Sequence, residues 1–380
     1  MEEHNWVMNV AIAFTALAEG SGISEVVVAH ANQLYKYDDV NVSILTLSCS
    51  HKHLNIRIPV VTPINISRGR NYLFTKPVMK PIANIFFKRA LEIIRPNIVN
   101  IHYPPLDDFV LKNRRKFGYK VVYYYHNVTD PNMYAGYGRE RRILENKRMI
   151  KNVSKADKVI TNSGFTRNYL LSKFSINSTV ITPGIDFQVF RKKERKLNLP
   201  HPALLCVGRI VKHKGVDLLL NAFELVLGKI PKAHLYIIGK FDNDDYSELI
   251  KQRAVEIGNI YLLGHLHVED VILYYKSADL FTCASIYEGF GMPFMEAQAS
   301  GLPCVGFNTA SIPEVVIDNE TGILVKTKDT KAFSEAVIEL LSNNKKREQF
   351  SRNGIENARN YDWPEIVKKL HTEYGKLNAK

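Results

Sequence analysis

The sequence predicts an α/β protein made of two doubly wound, Rossmann-like domains, and three observations carry that reading. Short continuous apolar runs alternate with amphipathic helical stretches along nearly the whole chain. That is the pattern of parallel strands covered by helices on both faces. The rhythm halts over 182–202 and then restarts, which makes two series rather than one. The length, 380 residues with 46% hydrophobic content, is more comfortable as two cores than as one.

In the first series, "WVMNVAIAFT" (6–15) reads as a strand and is followed by a glycine turn and a helix over "SEVVVAHANQLY" (24–35). Further strands are expected at "NVSILTL" (41–47), "NIVNIH" (97–102), "KVVYYYH" (120–126) and "KVITNS" (158–163), each bounded by loop or turn residues. The segment "TPGIDFQVFRKKERKLNLPHP" (182–202) holds three prolines, a glycine and a basic cluster without apolar periodicity, and reads as a linker. The second series opens with a strand at "ALLCVGRI" (203–210) and a helix at "GVDLLLNAFELVLGKI" (215–230). Next come "HLYIIG" (234–239), a helical "YSELIKQRAVEIG" (246–258), "IYLLG" (260–264), "VILYYKSA" (271–278), "DLFTCAS" (279–285), "LPCVGF" (302–307) and "TGILVK" (321–326). Pro364 suits the start of a final, exposed amphipathic helix. The expected division is therefore a first domain over 1–185, a linker over 186–200, a second domain over 201–362 and a C-terminal helix over 363–380.

No apolar run is long enough to span a bilayer, and the acidic start "MEEHNWVMNV" lacks the basic region of a secretory signal, so a cytoplasmic location is expected. Cys49, Cys206, Cys283 and Cys304 form no CxxC pair. The last three sit in strand-like runs and are expected to be buried, reduced thiols. Charge is uneven: residues 1–190 hold 25 Lys and Arg against 14 Asp and Glu, while 191–380 hold 26 against 24. Within the first half, 57–95 carries eight basic residues and one acid, interleaved with Tyr72, Phe74, Phe86 and Phe87. Such a surface suits an anionic membrane, a phosphorylated lipid or a nucleic acid. No recognition motif accompanies the charge, so nucleic acid is not expected as a partner.

Ligands of open parallel sheets bind at the carboxyl ends of strands, which directs attention to three strand-to-helix turns. In "AEGSGISE", Gly20 and Gly22 allow close backbone approach to an anion at a helix start. Glu25 takes the place of the third glycine of a dinucleotide fingerprint, so a purely structural tight turn is a real alternative. In "VGRIVKHKGVD" (207–217), Arg209 closes a strand and Lys214 precedes Gly215 and a helix. Two such cations can converge on one diphosphate, or can simply be solvated surface charge. In "SIYEGFGMPFMEAQASG" (285–301), Pro293 and Gly301 bracket a short helix with Glu296 near its first turn and Glu288 in the loop before it. Carboxylates there can accept hydrogen bonds from the hydroxyls of a ribose and a sugar. The plain alternative is one acid on a helix dipole and one solvated loop acid.

Together these turns resemble glycosyltransferase family 4, the GT-B group of retaining, nucleotide-sugar-dependent glycosyltransferases. The likeness covers most of the chain and is strongest after residue 180, in "TPGIDFQVF", "VGRIVKHKGVDLLLNAF", "LYIIGK", "YLLGHL", "YYKSADLFTCASIYEGFGMPFMEAQASGLPCVGFNTASIPEVV" and "NETGILV". The resemblance implies two domains facing a cleft, with the C-terminal helix crossing back to the first. It implies Arg209 and Lys214 as the paired phosphate cations, Glu288 toward the transferred sugar and Glu296 on the ribose. The amides of Gly289, Phe290 and Gly291 would lie against sugar and phosphate. His126, ending "KVVYYYHN", matches a family histidine near the transferred sugar; His102, ending "NIVNIH", is the second choice, and either can be a merely structural residue. The base would lie near Gly239 and the "GHL" at 264–266, which ends in Leu266.

The expected reaction moves a sugar from a nucleotide-diphosphate sugar to an acceptor hydroxyl, with no cofactor and no metal, because cations and helix amides stabilise the departing diphosphate. The "DND" at 242–244 is expected to be surface loop rather than a metal ligand. The basic first domain points to a lipid-linked or other anionic acceptor in glycan or glycolipid synthesis, and to docking on the cytoplasmic face of a membrane. A sugar-nucleotide epimerase or glycoside phosphorylase on the same scaffold, a two-carboxylate hydrolase and a nucleic-acid-binding protein are the competing readings. Lys214→Ala and Glu296→Ala are each expected to abolish transfer and leave the fold intact.

Overall fold

A computed structural model describes residues 7–17, 22–49, 56–62, 79–126, 128, 139–192, 196–242 and 244–379. The chain divides into two compact units, Met1–Pro183 together with Trp363–Lys380, and Gly184–Asp362. The first runs β1 (Met8–Ala13), β2 (Ala16–Leu17), α1 (Gly22–Leu34), β3 (Val40–Leu45), β4 (Ser48–Cys49), β5 (Val60–Val61), α2 (Met79–Ile94), β6 (Ile98–Ile101), α3 (Leu106–Phe117), β7 (Lys120–Tyr125), α4 (Arg139–Val153), β8 (Lys158–Thr161), α5 (Gly164–Phe174) and β9 (Thr179–Val180). The second runs α6 (Phe187–Arg191), β10 (Ala203–Val207), α7 (Val216–Leu227), β11 (His234–Ile238), α8 (Asp245–Ile257), β12 (Ile260–Gly264), α9 (Val268–Ser277), β13 (Leu280–Cys283), α10 (Met292–Ala299), β14 (Cys304–Phe307), α11 (Ile312–Val315), β15 (Gly322–Val325), α12 (Thr330–Ser342) and α13 (Asn344–Arg359). The last helix, α14 (Trp363–Asn378), returns to the first unit.

The first unit's main sheet has the order β5-β3-β1-β6-β7-β8-β9, with parallel pairing between neighbours. β6 is buried at every position and β7 at all but its first. Both faces are therefore covered, and continuous apolar runs replace alternation. Helix α14 buries Trp363, Ile366, Val367, Leu370 and Tyr374, a three-to-four-residue spacing that faces α1. Each such side chain contributes roughly 2 kcal/mol on burial. Lys158 adds an ion pair to Glu373 at 2.5 Å.

The second unit's sheet has the order β12-β11-β10-β13-β14-β15, again parallel throughout. Cys206, Cys283 and Cys304 are buried on β10, β13 and β14. The segment expected as a linker over 186–200 differs: its beginning is folded core. Asp186 caps α6 by accepting from the Val189 amide at 3.3 Å, and Phe187 and Phe190 are buried in the second unit's apolar cluster. The division between units falls at Pro183 and Gly184. Two phenylalanines three residues apart anchor only a turn and a half of helix, too little for a periodicity to be visible.

Candidate functional site

The strand order of the second sheet reverses beside β10, with β11 and β12 on one side and β13 to β15 on the other. At such a switch point the loops leaving adjacent strands diverge and open a crevice. The loop leaving β10 carries Arg209 and the 3₁₀ turn Lys212–Lys214; the loop leaving β13 carries residues 284–291. Backbone contact ties the two loops together: the Ile286 amide donates to the His213 carbonyl at 3.0 Å. Gly215 has φ +61°, and a Cβ there would lie 2.0 Å from the Ala284 carbonyl oxygen, so only glycine lets the loops touch.

That contact delivers Lys214 to Glu288. The Lys214 Nζ donates to Oε1 at 2.6 Å and to Oε2 at 2.8 Å. The Ser285 hydroxyl donates to Oε1 at 2.8 Å, and the Ser311 hydroxyl holds the Glu288 backbone carbonyl at 2.8 Å. Burial alone would lower the Lys214 pKa, but Glu288 outweighs it and holds the ammonium above its usual value. The sequence reading placed these two residues on different parts of a ligand, with Glu288 in a loop. They form one ion pair, and the Glu288 side chain is only 9% exposed. A carboxylate has about four lone-pair positions; three here are used within the protein, leaving capacity on Oε2. Arg209 is exposed at the end of β10 and pairs with no carboxylate among the described residues.

Gly291, at φ +101°, caps α10, which starts at Met292 with Pro293 second. Glu296 is therefore the fifth helical residue, near the first turn as expected. The Tyr275 hydroxyl on α9 donates to its Oε2 at 2.8 Å. Burial raises the Glu296 pKa and the bond from Tyr275 partly offsets this. The Phe290 side chain points into the apolar cluster beside Tyr361, so only its backbone faces away from the core. Beyond β10 the strand ends are laced together: Gly208 N donates to Ile238 O at 2.9 Å and Gly239 N to Gly264 O at 2.8 Å. A Cβ on Gly239 would lie 1.8 Å from the Gly208 carbonyl. Leu266 follows β12 and is half-buried against the core.

In the first unit, His102 and His126 follow the ends of β6 and β7 and touch: His102 Nδ1 lies 2.9 Å from His126 Nε2. Both are buried, as is His30 on α1, whose ring meets those of His102, Tyr124 and Trp363 edge-on. Burial lowers the pKa of His30 and of His126 to about 3, and that of His102 well below its usual value. All three are neutral at pH 7. Gly22 is exposed at the first position of α1, where a side chain would meet open space. Gly20 and the middle of the basic stretch, 63–78, lie outside the described residues.

Residues 20–189 match the family described as Glycosyltransferase Family 4, and residues 188–357 match Glycosyl transferases group 1. The chain belongs to glycosyltransferase family 4. A D-inositol 3-phosphate glycosyltransferase of Corynebacterium diphtheriae is 29% identical over 255 residues, 62% of this chain and 58% of the relative. The chain spans between half and three-fifths of the length of the curated relatives it matches. A sucrose-phosphate synthase of Thermosynechococcus elongatus superposes with TM-score 0.82 at 21% identity, over 98% of this chain and 99% of that one. The Anabaena protein HepE, solved with UDP and glucose, superposes with TM-score 0.79 at 14% identity, over 97% and 100%. These likenesses place the two Rossmann-like units in the GT-B fold.

Within this family 4 chain, six expected residues meet at the second unit's switch point: Arg209, Lys214, Glu288, Gly289, Phe290 and Gly291 all lie in the two joined loops. Sequence reasoning missed Tyr275, Ser285 and Ser311. Tyr275 occupies the buried stripe of α9 and has the spacing of an ordinary core aromatic. The "DND" also finds its cause: Asp244 caps α8 by accepting from the Ser247 amide at 2.9 Å. Asn243 between the two acids lies outside the described residues.

Proposed function

We propose that the chain is a retaining glycosyltransferase that moves a sugar from a nucleotide-diphosphate sugar to an acceptor hydroxyl. The observation that carries this is the meeting of the Arg209–Lys214 loop with the Glu288 loop at the switch point of a doubly wound sheet. As the bond to the sugar breaks, negative charge grows on the leaving diphosphate. Arg209 and Lys214 supply fixed positive charge for it, and the amides of Gly289, Phe290 and Gly291 supply dipoles, an arrangement worth several kcal/mol of barrier. Those groups do the work a divalent metal does elsewhere, so turnover needs no metal. Glu288, through its remaining lone pair, takes a hydroxyl of the transferred sugar; Glu296, steadied by Tyr275, takes the ribose diol. We assign His126 to recognition of the transferred sugar, and Gly239 and Leu266 to the base.

A thermal-shift screen of UDP-, GDP- and ADP-sugars tests the donor assignment. At about 100 times Kd, binding adds about 2.7 kcal/mol, and the melting temperature of a unit this size rises by roughly 5–10 °C. Glu296→Ala removes that shift. If no nucleotide sugar shifts the melt, the reading is wrong.

The acceptor is anionic, a lipid-linked phosphate at an anionic membrane face. Lys88 and Arg89 within α2 and Arg95 just after it share this stretch with exposed Ile85, Phe86 and Ile93, and α3 ends in Arg114, which pairs with Asp157, followed by Arg115 and Lys116. Cations beside exposed apolar side chains favour such a surface. The chain then floats with anionic vesicles at low salt and sinks with neutral ones; failure to float with either removes the docking role.

A further inference from the structure

Among the described residues, the polar side chains behind His126 form a buried chain that the donor site does not account for. Asn100 sits on β6, a strand with every residue buried. Its Nδ2 donates to the Tyr374 hydroxyl oxygen at 2.6 Å and lies 3.1 Å from His102 Nε2. The His102 ring is held flat against Tyr124, with centroids 5.0 Å apart and planes at 6°. Its other nitrogen, Nδ1, is 2.9 Å from His126 Nε2. With the Asn100 amide turned so that Nδ2 faces the ring, an orientation that leaves its Oδ1 buried without a partner, His102 Nε2 is the acceptor and the single proton of the neutral ring sits on Nδ1. That proton points at His126 Nε2, which must accept it. The one proton of neutral His126 is then on its Nδ1, a nitrogen that makes no hydrogen bond among the described residues. The Asn162 amide fixes the other side by donating to the His126 carbonyl oxygen.

We propose that Asn100, His102 and Tyr374 are positioning residues that hold His126 as its Nδ1–H tautomer and so make it a hydrogen-bond donor at the carboxyl end of β7. The substrate group it serves is an oxygen, of the sugar or of the phosphate, that accepts a hydrogen bond. The inference rests on the reading in which His126 meets the transferred sugar. Burial supports it by keeping His102 and His126 neutral, since an imidazolium would donate from both nitrogens. Because Tyr374 belongs to α14, seating of the C-terminal helix is part of what sets the tautomer.

Long-range proton–nitrogen spectra of the chain labelled with ¹⁵N-histidine read the tautomer without reference to activity. In the wild type, His102 and His126 both resonate as Nδ1–H forms. In His102→Phe, His126 loses that form and averages between tautomers. In His102→Asn, whose amide N–H stands near the former Nδ1, it is restored. Tyr374→Phe, which deletes only a hydroxyl, shifts the His102 signals and keeps the test open should the ring variants fold poorly. Turnover follows: His102→Phe lowers kcat by up to about 10²-fold, the cost of an ångström-scale misplacement, with KM little changed, and His102→Asn recovers it. His126 found as Nε2–H in the wild type, or unmoved by His102→Phe and Tyr374→Phe, overturns the inference. Full turnover by His126→Ala would instead remove the sugar-contact reading and leave the tautomer result standing, so the two failures are distinct.

Discussion

Lys214→Ala is expected to slow sugar transfer by about 10³-fold and also to destabilise the second unit by about 3–5 kcal/mol. The second effect departs from the simpler expectation that this substitution leaves the fold intact, and the ion pair is the reason. Lys214 contacts both oxygens of Glu288, whose side chain is 9% exposed. Without the ammonium, a buried carboxylate keeps only the Ser285 hydroxyl and must either ionise unpaired or bind a proton. Glu288→Gln leaves the converse problem, a Lys214 Nζ facing an uncharged amide. Lys214→Met combined with Glu288→Gln removes both charges together, and replacing a buried pair as a unit is often nearly neutral. Protection of the β10 and β13 amides from hydrogen exchange should fall in each single variant and return to within about 1 kcal/mol of wild type in the double variant. Transfer should stay lost in all three. A double variant that recovers both protection and turnover would show that the pair is structural and that the diphosphate is met elsewhere.

The sequence made the sheet cores legible because strands buried on both faces leave continuous apolar runs, as in "ALLCV" and "LFTC". It did not expose why Gly215 and Gly239 are glycines, because the backbone each passes against, at Ala284 and at Gly208, is distant in sequence. It did not expose pairings formed between distant positions. Lys214 and Glu288 are 74 residues apart and Asn100 and Tyr374 are 274 apart. Nothing in a local pattern distinguishes a carboxylate whose lone pairs are spent within the protein from one held open for a ligand. Asn100 in the middle of "IVNI" is the one signal that was available. A polar residue in a fully buried strand needs partners, and following that need leads to His102, His126 and Tyr374. Two-residue strands such as β2, β4 and β9 were invisible because two positions carry no period.

Acidification from pH 7 to pH 5 is expected to weaken the first unit by about 2 kcal/mol for each of His30 and His126, with His102 acting in the same direction. In the unfolded chain a histidine titrates near 6.5, whereas burial holds His30 and His126 at about 3 in the folded state. Below pH 6.5 the unfolded chain therefore binds more protons. Stability is present in full above 6.5 and is lost as pH falls toward 3. The buried Asp107, whose pKa burial raises, opposes this by binding its proton first in the folded state, but only at the acid end of the window. The second unit has no buried histidine among its described residues and should change less. Trp363, whose ring lies 5.6 Å from that of His30, reports the first unit directly. In a Trp6→Phe background its fluorescence during urea unfolding at pH 7, 6 and 5 gives the slope. His30→Phe isolates one contributor: neither His30 ring nitrogen has a hydrogen-bond partner among the described residues, so the apolar ring forfeits no bond. The variant should be at least as stable as wild type at pH 7 and lose about 1.4 kcal/mol less per pH unit between pH 6 and 4. An unchanged slope would mean that His30 reaches solvent and titrates normally, so that the cost of burying it is not stored in the histidine cluster.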